Sequence, residues 1–241
     1  MTDFQKKLIA VAEKNEKTAG IIKEKDAEVL EALCHHMLKV NESLNLTAIR
    51  DEDGVILKHL VDSCACVPYI KENASVADIG CGGGFPSLVI AILRGDVSVF
   101  SVDSVTKKVK YVEDTANMLS LNVSTSNRRA EELGQDPKYR EKFDAATARA
   151  VGRLNLICEL CLPLVKVGGC FIAMKSQSTD EELCEAENAI KLLGGRIKTV
   201  ERYTLKDESE CLERTMVIIE KVEQTPKKYP RNNSQISKKP L

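Results

Sequence analysis

The stretch VADIGCGGGFPSLVIAI, residues 76–92, decides the fold. A short apolar run, four glycines in five positions and a second apolar run read as strand, tight turn and helix, the arrangement that cradles a nucleotide-like ligand. The spacing is Asp78-x-Gly80-x-Gly82-x-Gly84, not the Gly-x-Gly-x-x-Gly of a dinucleotide site, because Phe85 stands where the third glycine would fall. Bulk at that position crowds a pyrophosphate on the helix N-terminus, and no phosphate-binding lysine of the P-loop kind follows. A ligand without phosphate is expected. In the next β-rich run, VFSVD, Asp103 arrives 25 residues after Asp78. A carboxylate at that strand end can accept hydrogen bonds from both ribose hydroxyls, so the ligand contains a nucleoside. A nucleoside without pyrophosphate points to S-adenosylmethionine, with Asp78, Gly80 and Asp103 as candidate cofactor residues. The plainer alternative makes the glycines only a turn and Asp103 only a helix cap; their coincidence in one βαβ unit weighs against it.

Working outward, residues 1–74 carry helical periodicity, with Val29, Leu30, Leu33, Met37, Leu38 and Val40 mainly on one stripe and a further helix over Val55, Ile56, Leu60 and Val61 ending near Pro68. From residue 75 strands and helices alternate: VADIG, VSVFSVD, NVSTSN, FDAATARAV and GCFIAMK as strands, with helices over PSLVIAIL, VTKKVKYVEDTANMLSL, LNLICELCLPLV and 180–193. Such alternation argues for a parallel sheet with helices on both faces. The last two β-rich runs, RIKTVERYTL and ERTMVIIEKV, are too close for a helical crossover, so at least one late strand is antiparallel. The expected fold class is α/β: a Rossmann-like, class I S-adenosylmethionine-dependent methyltransferase with a mostly parallel seven-stranded sheet. Its expected division is a helical cap over 1–74, the methyltransferase domain over 75–222 and a basic tail over 223–241.

With 241 residues, 43% of them hydrophobic, the chain can bury one substantial core. No apolar run approaches the roughly 20 residues that span a bilayer, and the charged start MTDFQKKLIAVAEKNEK is unlike a signal peptide. Nine cysteines, an odd number scattered through apolar segments, suit a compartment where thiols stay reduced; a cytoplasmic protein is expected. Cys158 and Cys161 spell Cys-x-x-Cys without a second pair, so they read as small hydrophobes and no metal is expected. The formal net charge of −1 is uneven. Lys227, Lys228, Arg231, Lys238 and Lys239 face the single acid Glu223, which makes the tail +4 and leaves the rest at −5. By composition alone a polyanion contact and a solvated tail are equally good readings.

The segments NLTAIRDEDGVILKHLVDS, DIGCGGGFPSL, VDSVTKKVKYV, RRAEEL, ATARAV, AMK and ERTMVII, in this order, resemble the glucose-inhibited division protein B family from about residue 20 to the C-terminus. The resemblance implies a bacterial 16S rRNA methyltransferase that makes 7-methylguanosine in the 530 loop of the small ribosomal subunit. It implies cofactor contacts at Gly80, Phe85, Ala130, Glu131 and Arg149. On the residues alone, Glu131 reads as a helix-start carboxylate and Arg149 as a surface ion pair, and a small-molecule or protein methyltransferase and a non-catalytic nucleotide binder stay open. Ring nitrogen 7 of guanine carries a free lone pair, so no base is needed and no proton-transfer catalyst is expected; the work is alignment and exclusion of water. Arg149, Lys175 and Arg214, at or near the strand-end rim, are candidates for phosphates or the base's oxygen 6. Asn45 and His59 of the cap are candidates to line the same pocket, although His59 on an apolar helix face reads first as a packed histidine. Asp62 is read either as a helix cap or as a brace of the N-terminal cap against the sheet. Lys228 and Arg231 are the tail's candidate RNA contacts. The acidic body predicts weak binding to isolated oligonucleotides and a folded or partly assembled subunit as substrate; a monomer is expected, although no feature of the sequence fixes the oligomeric state. The chain departs from the family at Ser87, where glycine is usual, and at Ser234 and Ile236, where glycine and proline are more frequent; the tail changes bear on how that segment docks.

Overall fold

A computed structural model describes residues 1–176 and 180–241. Seven strands, β1 (Ser75–Ile79), β2 (Ser98–Val102), β3 (Val123–Ser126), β4 (Phe143–Arg149), β5 (Val165–Lys175), β6 (Gly195–Lys206) and β7 (Cys211–Lys221), form one sheet in the order β3-β2-β1-β4-β5-β7-β6. The first five are parallel to one another, while β7 runs antiparallel to both β5 and β6. The hairpin between β6 and β7 is pinned by Asp207, whose Oδ1 accepts from the backbone N–H of Ser209 (2.7 Å) and Glu210 (2.8 Å). The central strands are buried on both faces, as Val76, Ala77, Asp78 and Ile79 of β1 and Phe171, Ile172, Ala173 and Met174 of β5 show, which is why their sequences read as nearly continuous apolar runs, broken in β1 only by Asp78. The strand order reverses between β1 and β4, so the crevice at their carboxyl ends is the topological switch point where such sheets take ligands.

The N-terminal region comprises α1 (Asp3–Glu13), α2 (Glu24–Leu44), the short α3 (Glu52–Val55), a π-helical turn over Ile56–Val61 and α4 (Asp62–Cys64). Thr2 and Gln5 cap α1 reciprocally, Asn45 ends α2 with left-handed backbone at φ 50°, and Asp51 caps α3 through the Gly54 N–H. Leu30, Leu33 and Met37 of α2 share a hydrophobic cluster with Leu88 and Val89 of α5 (Ser87–Leu93) and with Tyr111 and Val112 of α6 (Thr106–Met118). The N-terminal helices therefore cover one sheet face together with α5 and α6. The other face is covered by α7 (Ala130–Gln135), α8 (Leu154–Cys161) and α9 (Asp180–Leu192), whose apolar sides form a second cluster that includes Cys158 and Cys161.

Residues 223–241 dock on the body instead of trailing into solvent, and end in the short α10 (Asn233–Lys238). Tyr229 and Ile236 are buried, and Arg140 donates to the carbonyls of Thr225 (2.6 Å) and Tyr229 (2.7 Å). Arg231, a candidate RNA contact, has its guanidinium on the fully buried carboxylate of Glu159 on α8, Nη2 to Oε2 at 2.6 Å and Nε to Oε1 at 2.9 Å. Breaking a buried pair strands the remaining charge. Arg231→Ala is expected to lower unfolding free energy by about 3 kcal/mol, measured by urea titration, and an Arg231→Gln, Glu159→Gln double variant to recover part of that loss.

Candidate functional site

The glycine turn sets the site's floor. Gly80, Gly82 and Gly84 have φ of 72°, 55° and 86°, left-handed backbone that side chains resist. A Cβ at Gly84 would lie 2.4 Å from Leu88, so turn and helix pack too closely for any other residue. Asp103, just beyond β2, holds the turn from the side: its Oδ2 accepts from the Gly82 N–H at 3.1 Å and its Oδ1 from the Val105 N–H at 2.9 Å. A carboxylate offers about four acceptor positions, so two remain for a ligand's hydroxyls.

Beside this turn a crevice of about 420 Å³ opens, lined among others by Gly80, Asp103, Ala130, Glu131, Leu156 and Leu160. Four of the seven candidate cofactor residues thus meet in one place. Asp78 is not among them. It is fully buried behind the turn, where its Oδ1 accepts from Thr147 Oγ1 (2.9 Å) and its Oδ2 from the Ser87 N–H (3.2 Å); burial raises its carboxyl to about 6. Asp78 braces the loop and presents no surface to the crevice. Phe85 also lies off the crevice wall, buried and stacked on His59 with ring centroids 4.5 Å apart.

Arg149, at the end of β4, points toward the N-terminal helices. Its Nη1 donates to Asp62 Oδ2 (3.0 Å) and to the Lys58 carbonyl (2.7 Å), its Nη2 lies 3.0 Å from His59 Nδ1, and its guanidinium carbon stands 5.7 Å from the Phe85 ring centre. A guanidinium can only donate, so the Arg149 contact uses His59 Nδ1 as acceptor and leaves the proton on Nε2, toward Thr47 Oγ1 at 3.0 Å; the Lys58 carbonyl, 3.1 Å from the same Nδ1, competes by favouring a proton there. Burial, reinforced by the positive charge of Arg149, pushes His59 down to about 3 and keeps it neutral. Asp62 is itself buried and takes a second cation on its other oxygen, Arg214 Nε of β7 at 2.9 Å. The brace read for Asp62 is present in full: one carboxylate on the N-terminal region ties β4 to β7.

Around that pair lies a second cavity of about 170 Å³, lined by Lys58, Asp62, Arg149, Lys175, Tyr203 and Arg214 among others. Its four cations, partly offset by Asp62 and by carboxylates paired to the two lysines, offer donors suited to phosphate or to the oxygen-6 acceptor of guanine. Lys175 reaches Glu182 (2.8 Å) and the Gly152 carbonyl (2.6 Å), and Lys58 reaches Glu210 (2.6 Å). Ala150, with left-handed φ of 57°, lines both this cavity and the crevice, so the two meet at the end of β4. Asn45 and His59 line neither: the Asn45 side chain accepts from Arg50 Nη2 (2.8 Å) in an exposed turn, and His59 stands behind Arg149. Lys228 is exposed, its ammonium 5.2 Å from the Tyr229 ring centre. Lys58, Tyr203, Asn233 and Ser237 belong to the two linings without having been expected there. Only Lys58 carried a signal, lying one helical turn before Asp62 and so on the same face.

The sheet order, the glycine turn and the switch-point crevice define a class I methyltransferase, and solved structures agree on the fold. An S-adenosylmethionine-dependent methyltransferase from Methanosarcina mazei matches 65% of this chain and 96% of its own at TM-score 0.50 and 15% identity. The YcgJ protein of Bacillus subtilis matches 68% and 100% at TM-score 0.53 and 14% identity. The family model GidB, rRNA small subunit methyltransferase G, matches residues 26–212. Proteins named ribosomal RNA small subunit methyltransferase G are 46% identical over 210 residues in Lactobacillus delbrueckii subsp. bulgaricus (85% of this chain, 87% of that one) and 44% over 203 residues in Acetivibrio thermocellus (83% of each). The chain belongs to the GidB family and is an S-adenosylmethionine-dependent methyltransferase.

Proposed function

We propose that the enzyme methylates ring nitrogen 7 of a guanine in the 530 loop of bacterial 16S rRNA, with the cofactor in the 420 Å³ crevice and the guanine at the cation-lined cavity. The observation that carries this reading is the shared wall at Ala150, which puts a nucleoside-sized crevice and a base- and phosphate-seeking cavity side by side. The crevice fits the cofactor: its volume lies within the range of small-molecule sites, Asp103 keeps free acceptor positions beside the turn for ribose hydroxyls, and Leu156 and Leu160 offer an apolar surface to a base. When bound, S-adenosylmethionine supplies an electrophilic methyl group on a sulfonium. The chain's own residues then have three tasks. Gly80 and its neighbours bring backbone close to the ligand, Asp103 and Glu131 orient the nucleoside, and Arg149 and Arg214, fixed by Asp62, orient the incoming base. Nothing has to remove a proton, and Asp62, with both oxygens on guanidinium groups, is unsuited to do so. Alignment of this kind is worth up to roughly 7 to 11 kcal/mol of barrier.

The test is methyl transfer from labelled S-adenosylmethionine to small subunits from cells lacking the protein, with the product mapped by cleavage at 7-methylguanosine. A label confined to one guanine of the 530 loop is expected; label elsewhere, or none, refutes the substrate. Asp103→Ala is expected to weaken S-adenosylmethionine binding by about 1 to 3 kcal/mol, measured by calorimetry. Unchanged affinity would remove Asp103 from the site.

A further inference from the structure

The helices that wall the crevice are also the ones that hold the C-terminal segment. On α7, Ala130 and Glu131 face the crevice while Gly134 packs against Pro230 so tightly that a Cβ there would stand 2.7 Å from its ring, and Gln135 donates to the Pro230 carbonyl at 2.7 Å. On α8, Leu156 and Leu160 line the crevice while Glu159 between them binds Arg231. From this anchor the chain turns back and buries Ile236, which brings Asn233 and Ser237, one helical turn apart on α10, onto the crevice wall. An exposed basic tail has no need of so many fixed points.

We propose that residues 231–239 form a strap of the cofactor site, in which the Asn233 amide and the Ser237 hydroxyl hydrogen-bond the base end of the bound nucleoside, so that strap docking and cofactor binding strengthen each other. This rests on reading the crevice as the S-adenosylmethionine site. Asp103 places the ribose beside the glycine turn, and the base then extends along Ala130 toward α8, where these two side chains stand. An amide and a hydroxyl both donate and accept, as an adenine edge with an amino group and ring nitrogens requires. Both residues are exposed, and their one mutual contact is a long hydrogen bond of 3.4 Å, so both have capacity for a ligand. Coupling is reciprocal by linkage: if the docked strap raises cofactor affinity by some factor, the cofactor favours docking by the same factor.

The experiment uses the full chain and S-adenosylmethionine itself. Calorimetry on an Asn233→Ala, Ser237→Ala double variant, which touches neither Arg231 nor Ile236, is expected to show about tenfold weaker binding, the scale of two modest hydrogen bonds. Hydrogen exchange on the unaltered protein is expected to show the amides of residues 233–238 slowed several-fold by saturating cofactor. Unchanged affinity in the double variant, or unchanged exchange in those amides, overturns the strap. Asp103→Ala in parallel separates the two readings. If it weakens binding while the double variant does not, only the strap fails; if neither variant changes affinity, the crevice assignment fails with it.

Discussion

Asp62→Ala is expected to cut methylation of small subunits a hundredfold or more and to lower unfolding free energy by about 3 to 5 kcal/mol. The Asp62 side chain is 7% exposed and holds Arg149 and Arg214 at 3.0 and 2.9 Å. Its removal leaves two largely buried guanidinium groups facing each other, with Lys58 and Lys175 lining the same cavity. They separate, and the geometry that orients the base goes with them; a displacement of about 1 Å at a reacting group is enough for a loss of this size. Initial rates and urea titrations on the same preparation measure both effects. Asp62→Asn, which keeps an acceptor oxygen and the side chain's shape, should hold one arginine and recover part of the stability while remaining slow. A folded Asp62→Ala protein with ordinary turnover would show that the two arginines do not orient the substrate.

The strands were readable because each is a run of β-branched and apolar residues bounded by turn signals, and the late hairpin because its connection leaves no room for a helix. α7 and α10 are six residues each, too short for a helical period to show. Within the site, legibility followed sequence distance. Gly80 and Asp103 belong to one βαβ unit, and their meeting is local. Asp78 looks the same in sequence whether it faces a ligand or braces the turn; its partner decides, and that partner is Thr147, opposite it across the β1–β4 pair and 69 residues away. Arg231 finds Glu159 across 72 residues and Asp62 finds Arg214 across 152. No local pattern marks such pairs. The tail's composition could not decide its state, since a solvated run of cations and a docked segment with one buried ion pair have the same net charge.

His59 is expected to make the protein acid-sensitive in a defined window. In the folded protein it is held neutral down to about 3, by burial first and the Arg149 charge second, whereas the unfolded chain titrates near the ordinary 6.5. As pH falls below 6.5 the unfolded state takes up the proton first, so stability fully present above 6.5 is lost progressively down to about 3, by roughly 4 kcal/mol in all. Asp78 acts in the opposite sense: raised from 3.8 to about 6 by burial, it binds its proton first in the folded state, so stability increases as pH falls from 6 to 3.8 by roughly 3 kcal/mol. The two overlap and partly cancel, and carboxylates held below their ordinary range, such as Asp144 and Glu201, add their own loss on acidification, so the wild-type profile alone does not isolate His59. The informative quantity is the difference in unfolding free energy between wild type and His59→Gln, which keeps an acceptor for Arg149 and cannot titrate. That difference should shift by roughly 4 kcal/mol in the variant's favour between pH 6.5 and 3, read from urea midpoints at half-unit steps, and a constant difference would refute the buried, neutral assignment. The functional corollary is distinct. Because the folded histidine stays neutral across this window, the hydrogen bond from Arg149 survives it, and turnover of the folded fraction has no reason to follow the His59 titration until the pH approaches 3.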